Sequence, residues 1–190
     1  MRSSSFRADT LFYTIANKSF NIAPYVNFVC PFSKERILRI DVWGNSQQPS
    51  PSQLQPIVDD ANPNHLRVGN PDLKQSFTTR FRLRYNDYNK VTQRTIVLNM
   101  GMNFKQNSIA NRTEYIEEGV QKTMPINVNG VCDGYFNFMY SMPLNPYFRL
   151  SSYTTGNYSR GISFLSDKDV LGEKSISNEM RLYERLRVTY

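Results

Sequence analysis

In Phe77-Thr78-Thr79-Arg80-Phe81-Arg82-Leu83-Arg84-Tyr85, apolar and polar side chains take turns. Successive side chains of a strand point to opposite sides, so a period of two sorts residues onto faces. Phe77, Phe81, Leu83 and Tyr85 fall on one face, with Thr79 as a mild interruption. Thr78, Arg80, Arg82 and Arg84 fall on the other. The segment reads as a strand that is apolar on one side and cationic on the other. Asn86-Asp87-Tyr88-Asn89-Lys90 follows, a turn by composition. The alternation then resumes, with Ile96, Leu98, Met100, Met102 and Phe104 on one face and Val97, Asn99, Gly101, Asn103 and Lys105 opposite. Two such strands across a short polar turn predict a hairpin.

The same pattern extends outward from this hairpin. Leu38, Ile40 and Val42 alternate with Arg39, Asp41 and Trp43. Near the end, Leu182, Leu186, Val188 and Tyr190 alternate with Arg181, Tyr183, Arg185 and Arg187, and Glu184 breaks the apolar row. Weaker strand patterns cover residues 10–16, 20–30, 120–142 and 147–160, and Pro125 with Gly130 predicts a bend in the third. This makes eight candidate strands, read as antiparallel neighbours in a meander. The connections over residues 31–35, 86–93 and 143–146 are short, whereas 45–74 and 161–178 are long, polar and rich in turn formers. Short Asn17-Lys18-Ser19 is the exception, at the nominally long-loop end. Long loops at one end and short turns at the other are what outer-membrane barrels show, with the short turns in the periplasm. The fold class expected is all-β, an antiparallel transmembrane barrel.

Composition agrees with that class. Tyr and Phe number 12 each in 190 residues, yet the mean hydropathy is on the hydrophilic side. A barrel wall shows lipid only its alternate side chains, so such an average suits it. No apolar run approaches the roughly 18 residues of a membrane helix. The opening Met1-Arg2-Ser3-Ser4-Ser5-Phe6-Arg7 lacks the apolar stretch of a signal peptide. Lys and Arg total 23 against 16 Asp and Glu, a net charge of +7. That excess points to an anionic partner such as nucleic acid or lipopolysaccharide, or simply to arginines spread over solvated faces. Cys30 and Cys132 have no CxxC spacing, and His65 is the only histidine, so a His/Cys metal cluster is not expected. Asp59-Asp60 could assist calcium binding or keep its loop soluble, and Glu117-Glu118-Gly119 reads as a hairpin tip. Trp43 reads as a stacking platform for a sugar ring or as a packing aromatic. Sequons at Asn17, Asn111 and Asn157 are expected by chance. No nucleophile–base pattern and no phosphate-binding loop is present, so neither an enzyme nor a cofactor site is expected.

Motifs in order along the chain add a family resemblance. Gly69-Asn70-Pro71-Asp72-Leu73-Lys74, leading into the strand at Phe77, is similar to the "GNPxLKPE" loop-to-strand signature in barrels of TonB-dependent outer-membrane receptors. Gln75-Ser76 stands where Pro-Glu is usual. Upstream, Asn45-Ser46-Gln47-Gln48-Pro49-Ser50 and Gln53-Leu54-Gln55-Pro56 resemble the "NQPS…QLQP" run of the outer-membrane β-barrel family related to those receptors. Gly119-Val120-Gln121, Pro125-Ile126-Asn127-Val128-Asn129-Gly130 and residues 152–160 continue the likeness. The resemblance implies a large barrel with an N-terminal plug through which a TonB-type energiser drives import of a small solute. Its surroundings would be outer-membrane lipid and lipopolysaccharide, and no nucleic-acid partner is expected. Residues 1–190 read as one barrel domain, a stretch of the larger wall without a plug-like segment or TonB-box-like start. In that reading Arg80, Arg82, Arg84, Arg181, Arg185 and Arg187 face the lumen. Phe77, Phe81, Leu83, Tyr85, Leu98, Met100, Met102 and Phe104 face lipid. A lumen lined with arginine would favour anionic solutes or hold an acidic plug, and alternatively its charges pair across strands and solvate the wall. Two other readings stand beside this one: a self-contained eight-stranded structural or adhesive barrel, and a soluble β protein that binds an anionic polymer.

Apolar strand faces on this scale exceed what one soluble layer can bury. The chain is therefore expected to be monodisperse only with amphiphile. A stable monomer in plain buffer with sharp thermal unfolding, seen by sedimentation and calorimetry, would contradict the membrane reading.

Overall fold

A computed structural model describes residues 23–59, 61–117, 119–167 and 170–190. Along the chain run β1 (Tyr25–Pro31), β2 (Arg36–Gln47), α1 (Pro51–Leu54), β3 (Val58–Asp59), β4 (His65–Val68), β5 (Ser76–Asn89) and β6 (Arg94–Gln106). They are followed by β7 (Ser108–Glu117), β8 (Val120–Val128), β9 (Val131–Pro143), β10 (Arg149–Asp167) and β11 (Val170–Thr189). The described residues are almost entirely β-strand, with α1 as a single short turn of helix. Its wall is the antiparallel series β1-β2-β5-β6-β9-β10-β11. Strands β7, β8, β4 and β3 form a side sheet, joined to the wall where Phe164–Ser166 of β10 pairs in parallel with Arg112–Glu114 of β7. The sheet stays open across the described residues, with β1 at one edge and β11 at the other.

Each short connection is tied by one polar side chain, because Ser and Asn oxygens can accept from backbone two or three residues on. Ser33 Oγ accepts from the amides of Glu35 (3.2 Å) and Arg36 (3.0 Å). Asn89 Oδ1 accepts from Val91 (2.9 Å) and Thr92 (3.0 Å). Asn145 Oδ1 accepts from Tyr147 (2.9 Å) and Phe148 (2.8 Å). The turns are also tied to one another. Lys90 Nζ lies 2.7 Å from Glu35 Oε1, and the Tyr88 amide donates to the Glu35 carbonyl at 3.1 Å. The ammonium holds the Glu35 carboxyl below the usual carboxylate range. The contribution of that pair is thus present above the unfolded-state value of about 4.3 and is lost as pH falls through the lowered folded one. Farther along, Arg149 donates to the carbonyl and Oε1 of Gln93 at 3.4 and 3.2 Å.

The expected asymmetry of connections is present among the described residues. All three short turns lie at one end of the wall, and three long excursions lie at the other. Residues 48–75 form the first, the β7–β8 hairpin the second, and the β10–β11 pair the third, running on past the end of β9 at Cys132↔Arg160. Three expectations are corrected here. Residues 120–142 are not one bent strand but β8 and β9, separated at Gly130, whose φ of 96° suits glycine. Strand β7 escaped notice because Ala110, Arg112 and Glu114 on one side and Asn111, Thr113 and Tyr115 on the other give no apolar face. As a result β6 pairs with β9 and the wall is not a simple meander. Residues 161–178, read as a loop, belong to a paired hairpin whose ladder is backbone-made and does not register in polarity. The candidate strand at 10–16, the turn at 17–19 and the first residues of the 20–30 pattern lie outside the described residues.

Among the described residues buried apolar side chains are few. Leu54, Leu73, Val128 and Ile162 are at most 7% exposed, and all four belong to the long-connection end. The wall itself has one layer. Val26, Phe28, Leu182 and Leu186 are more than half exposed on it. Each such side chain left in water forgoes roughly 1.5–3 kcal/mol of burial, which a second medium must supply.

Cys30 on β1 and Cys132 on β9 are separated by the spacings β1-β2, β2-β5, β5-β6 and β6-β9, and both are free. At about 4.8 Å each this is roughly 19 Å, well beyond the ~7 Å that a disulfide bridges. Both thiols should label with a maleimide after denaturation without reductant, and an intramolecular Cys30–Cys132 crosslink in non-reducing mass spectrometry would refute this strand order.

Candidate functional site

Directly paired residues of a sheet share a face, so the register assigns every wall residue to a side. One row runs Asn27, Asp41, Arg82, Gly101, Tyr135, Asn157, Arg181. The next runs Arg39, Arg84, Asn99, Asn137, Thr155, Tyr183. The intervening row on the reverse side is Phe28, Ile40, Leu83, Met100, Phe136, Gly156, Leu182. Arg80, Arg82, Arg84, Arg181, Arg185 and Arg187 therefore share the polar face. Phe77, Phe81, Leu83, Tyr85, Leu98, Met100, Met102 and Phe104 share the apolar one.

On the polar face the three arginines of β5 each reach diagonally to β2, two residues past the direct partner. Arg84 Nη2 lies 2.9 Å from Asp41 Oδ2. The Arg82 guanidinium sits 4.9 Å from the centre of the Trp43 ring, and Arg80 Nη1 donates to Asn45 Oδ1. Trp43 thus packs under a cation, the bland alternative to a sugar platform. Asp41 is buried and also accepts from Asn27 Nδ2 (2.6 Å) and Tyr25 Oη (3.1 Å). Asn103 Nδ2 donates to Asp133 at 2.5 Å, and Lys105 Nζ lies 3.2 Å from the same carboxylate. Arg181 pairs with Glu179 at 2.5 Å, and Arg185 lies 5.6 Å from the Tyr183 ring centre. Tyr135 covers Gly101, where an added Cβ would fall 2.4 Å from the ring. Among the described side chains of the wall this face also carries Arg39 and Arg149, so its cations outnumber Asp41, Asp133 and Glu179.

Among the described residues two polar clusters interrupt the apolar face, and Arg160, paired with Cys132 and Asn178, is a further charge on it at the long-connection end. At the short-turn end, Asp87 is buried between Arg36 (3.4 Å) and Arg94 (3.0 Å). On β10 and β11, the odd Glu184 accepts from Ser152 Oγ (2.6 Å) and Thr154 Oγ1 (2.5 Å). The Asp87 cluster was missed in the sequence. Asp87 extends the apolar row Phe81, Leu83, Tyr85, but only the strand register reveals that Arg36 is its direct partner.

At the long-connection end the motif Gly69, Asn70, Pro71, Asp72, Leu73, Lys74 acts as a clamp. Ser50 caps α1 through reciprocal bonds with Gln53, whose carbonyl accepts from the Asn70 amide at 2.6 Å. Gly69 passes so close that an added Cβ would stand 2.1 Å from the Gln55 carbonyl oxygen. Asn70 Nδ2 donates to the Pro125 carbonyl at 3.0 Å, and its Oδ1 accepts from the Asp72 amide. Asn127 accepts from the Lys74 amide (2.7 Å) and donates to the carbonyls of Lys74 (2.9 Å) and Asn107 (2.8 Å). Leu73 is buried. The "QLQP", "GNPDLK" and "PINVNG" stretches, far apart in sequence, thus meet in one knot between the first long loop and the β7–β8 hairpin. An open cleft of about 680 Å³ lies beside it, lined by His65, Arg67, Gln55, Asn111, Thr113 and Thr123 among others. Among the described residues no group of three His, Cys, Asp or Glu could hold a metal ion.

A family model described as the outer membrane protein beta-barrel family matches residues 4–188. No curated protein and no solved structure matches the chain.

Asn127→Ala removes three hydrogen bonds of the clamp and should cost about 1–3 kcal/mol. Hydrogen exchange should rise over residues 48–75 and 120–128 while the β5–β6 ladder stays protected. Gly69→Ala should do the same more severely. Uniform loss of protection across the wall would show that the clamp is not a local device.

Proposed function

Because this chain belongs to the outer membrane protein beta-barrel family, we propose that its apolar face meets lipid while its polar face lines the lumen of a barrel for nutrient uptake. The carrying observation is the register, which gathers Phe81, Leu83, Leu98, Met100 and Met102 on one face and Arg80, Arg82, Arg84, Asn99 and Asn103 on the other. Backbone groups in lipid must be paired with neighbouring strands, and the ladders meet that demand for the wall strands between the edges β1 and β11. The cationic excess of the polar face suits an anionic solute or the acidic surface of a plug. The likeness of Gly69–Lys74 to receptor barrels supports a TonB-type energiser acting through such a plug. In this reading the work is transport and not catalysis.

A second reading, a structural or adhesive barrel, is favoured by one observation. Arg80, Arg82 and Arg84 are each engaged within the wall and are not held out for a solute. The soluble polymer-binding alternative is set aside, because family membership and the open apolar face both favour a lipid setting.

The face assignment is directional and so testable. Leu83→Arg puts a charge on the lipid side at a cost of about 2–4 kcal/mol near the midplane, and should block assembly. Arg82→Leu should assemble nearly normally. Equal damage from both in a heat-modifiability gel would refute the assignment.

A further inference from the structure

We propose that the Arg36–Asp87–Arg94 cluster and the cleft beside it bind the phosphate headgroup of an anionic phospholipid in the leaflet at the short-turn end. The inference rests on the reading that the apolar face meets lipid. Asp87 gives one oxygen to each guanidinium, so two cations share one anion and one positive charge is left over. The adjacent Lys90–Glu35 pair cancels itself. Asp87 is nearly sealed, at 6% side-chain exposure, whereas Arg36 and Arg94 remain 46% and 34% exposed. The carboxylate is thus a hidden anchor that holds two guanidiniums outward, a geometry suited to phosphate oxygens.

Position distinguishes this cluster from a site for a soluble anion. Arg36, Asp87, Ile96 and Tyr140 form one row of the apolar face, and the next row up is Leu38, Tyr85, Leu98 and Phe138. The spare charge therefore caps a column of apolar side chains, where a headgroup would end and acyl chains begin. Beside Arg94 a cleft of about 630 Å³ is lined by Val91, Gln93, Tyr140, Met142 and Leu144. Its mouth spans two turns that Arg149 ties together through Gln93. One cationic wall and several apolar ones match an amphipathic ligand.

The test uses the full chain folded in neutral detergent micelles and native mass spectrometry, with phosphatidylglycerol and phosphatidylcholine of equal chain length as probes. Removing the arginines alone would strand a buried carboxylate and risk the fold. The variant is therefore R36Q/D87N/R94Q, checked by heat modifiability, with Arg94→Gln alone as a milder second. The wild type should retain phosphatidylglycerol at least tenfold better than phosphatidylcholine, and the triple variant should lose that preference. Equal retention of the two lipids, or an unchanged preference in both variants, would overturn the proposal. So would full displacement by millimolar inorganic phosphate, which would mark a soluble-anion site. A wild type that is monodisperse without detergent would refute the lipid-face reading itself, a separate failure.

Discussion

The whole arrangement depends on strand register. A slip of one residue between β2 and β5 would carry Phe81, Leu83 and Tyr85 to the polar side and the arginines to the apolar one. Backbone ladders alone do not forbid such a slip, since their hydrogen bonds recur along the strand. Side chains make the choice. The diagonal contacts of Arg84, Arg82 and Arg80 with Asp41, Trp43 and Asn45 form as a set in one alignment. Phe77 over Gly44 fits only where a glycine leaves room, which pins the same alignment from the other face, and Tyr135 over Gly101 does the same for β6 and β9. The side-chain locks in the short turns set where each hairpin begins.

Much of this was legible because period two is a strong signal wherever one face is apolar. The β5–β6 hairpin and the faces of its residues follow from Phe77–Tyr85 and Ile96–Phe104, although its turn lies at residues 90–93, because Asn86 to Asn89, read as the turn, still pair with β6. Legibility failed where polarity carries no information. Strand β7 has no apolar face, and the outer halves of β10 and β11 carry only a broken one, in which Ile162 pairs with Ile176 but Phe164 with Lys174, so backbone pairing defines them. The partner of β6 was equally hidden, since a hairpin inserted between two wall strands leaves no mark in either. The Asp87 cluster depends on the pairing of Asp87 with Arg36, far away in the sequence, and no local pattern predicts it.

The motif likeness has a physical content that its letters do not convey. Gly69 is needed because a carbonyl occupies the space of its Cβ, and Asn70 and Asn127 because each can donate and accept at once. These residues hold two long excursions together and touch no reactive group. Their role is to hold the shape of the long-connection end, whereas the character of the polar face comes from the arginine rows.

The wall ladder between β6 and β9 closes at Lys105↔Val131, and everything from Asn107 to Gly130 leaves and returns at that point. In engineering terms the β7–β8 hairpin is a cassette. Its entry and exit are neighbours in an intact sheet, so its tip beyond the Arg112–Glu114 pairing with β10 can vary without moving a wall residue. The Asn70 and Asn127 contacts latch that cassette to the loop before β5, so the two change shape together. Variation in what the rim presents can thus proceed on a wall that stays constant.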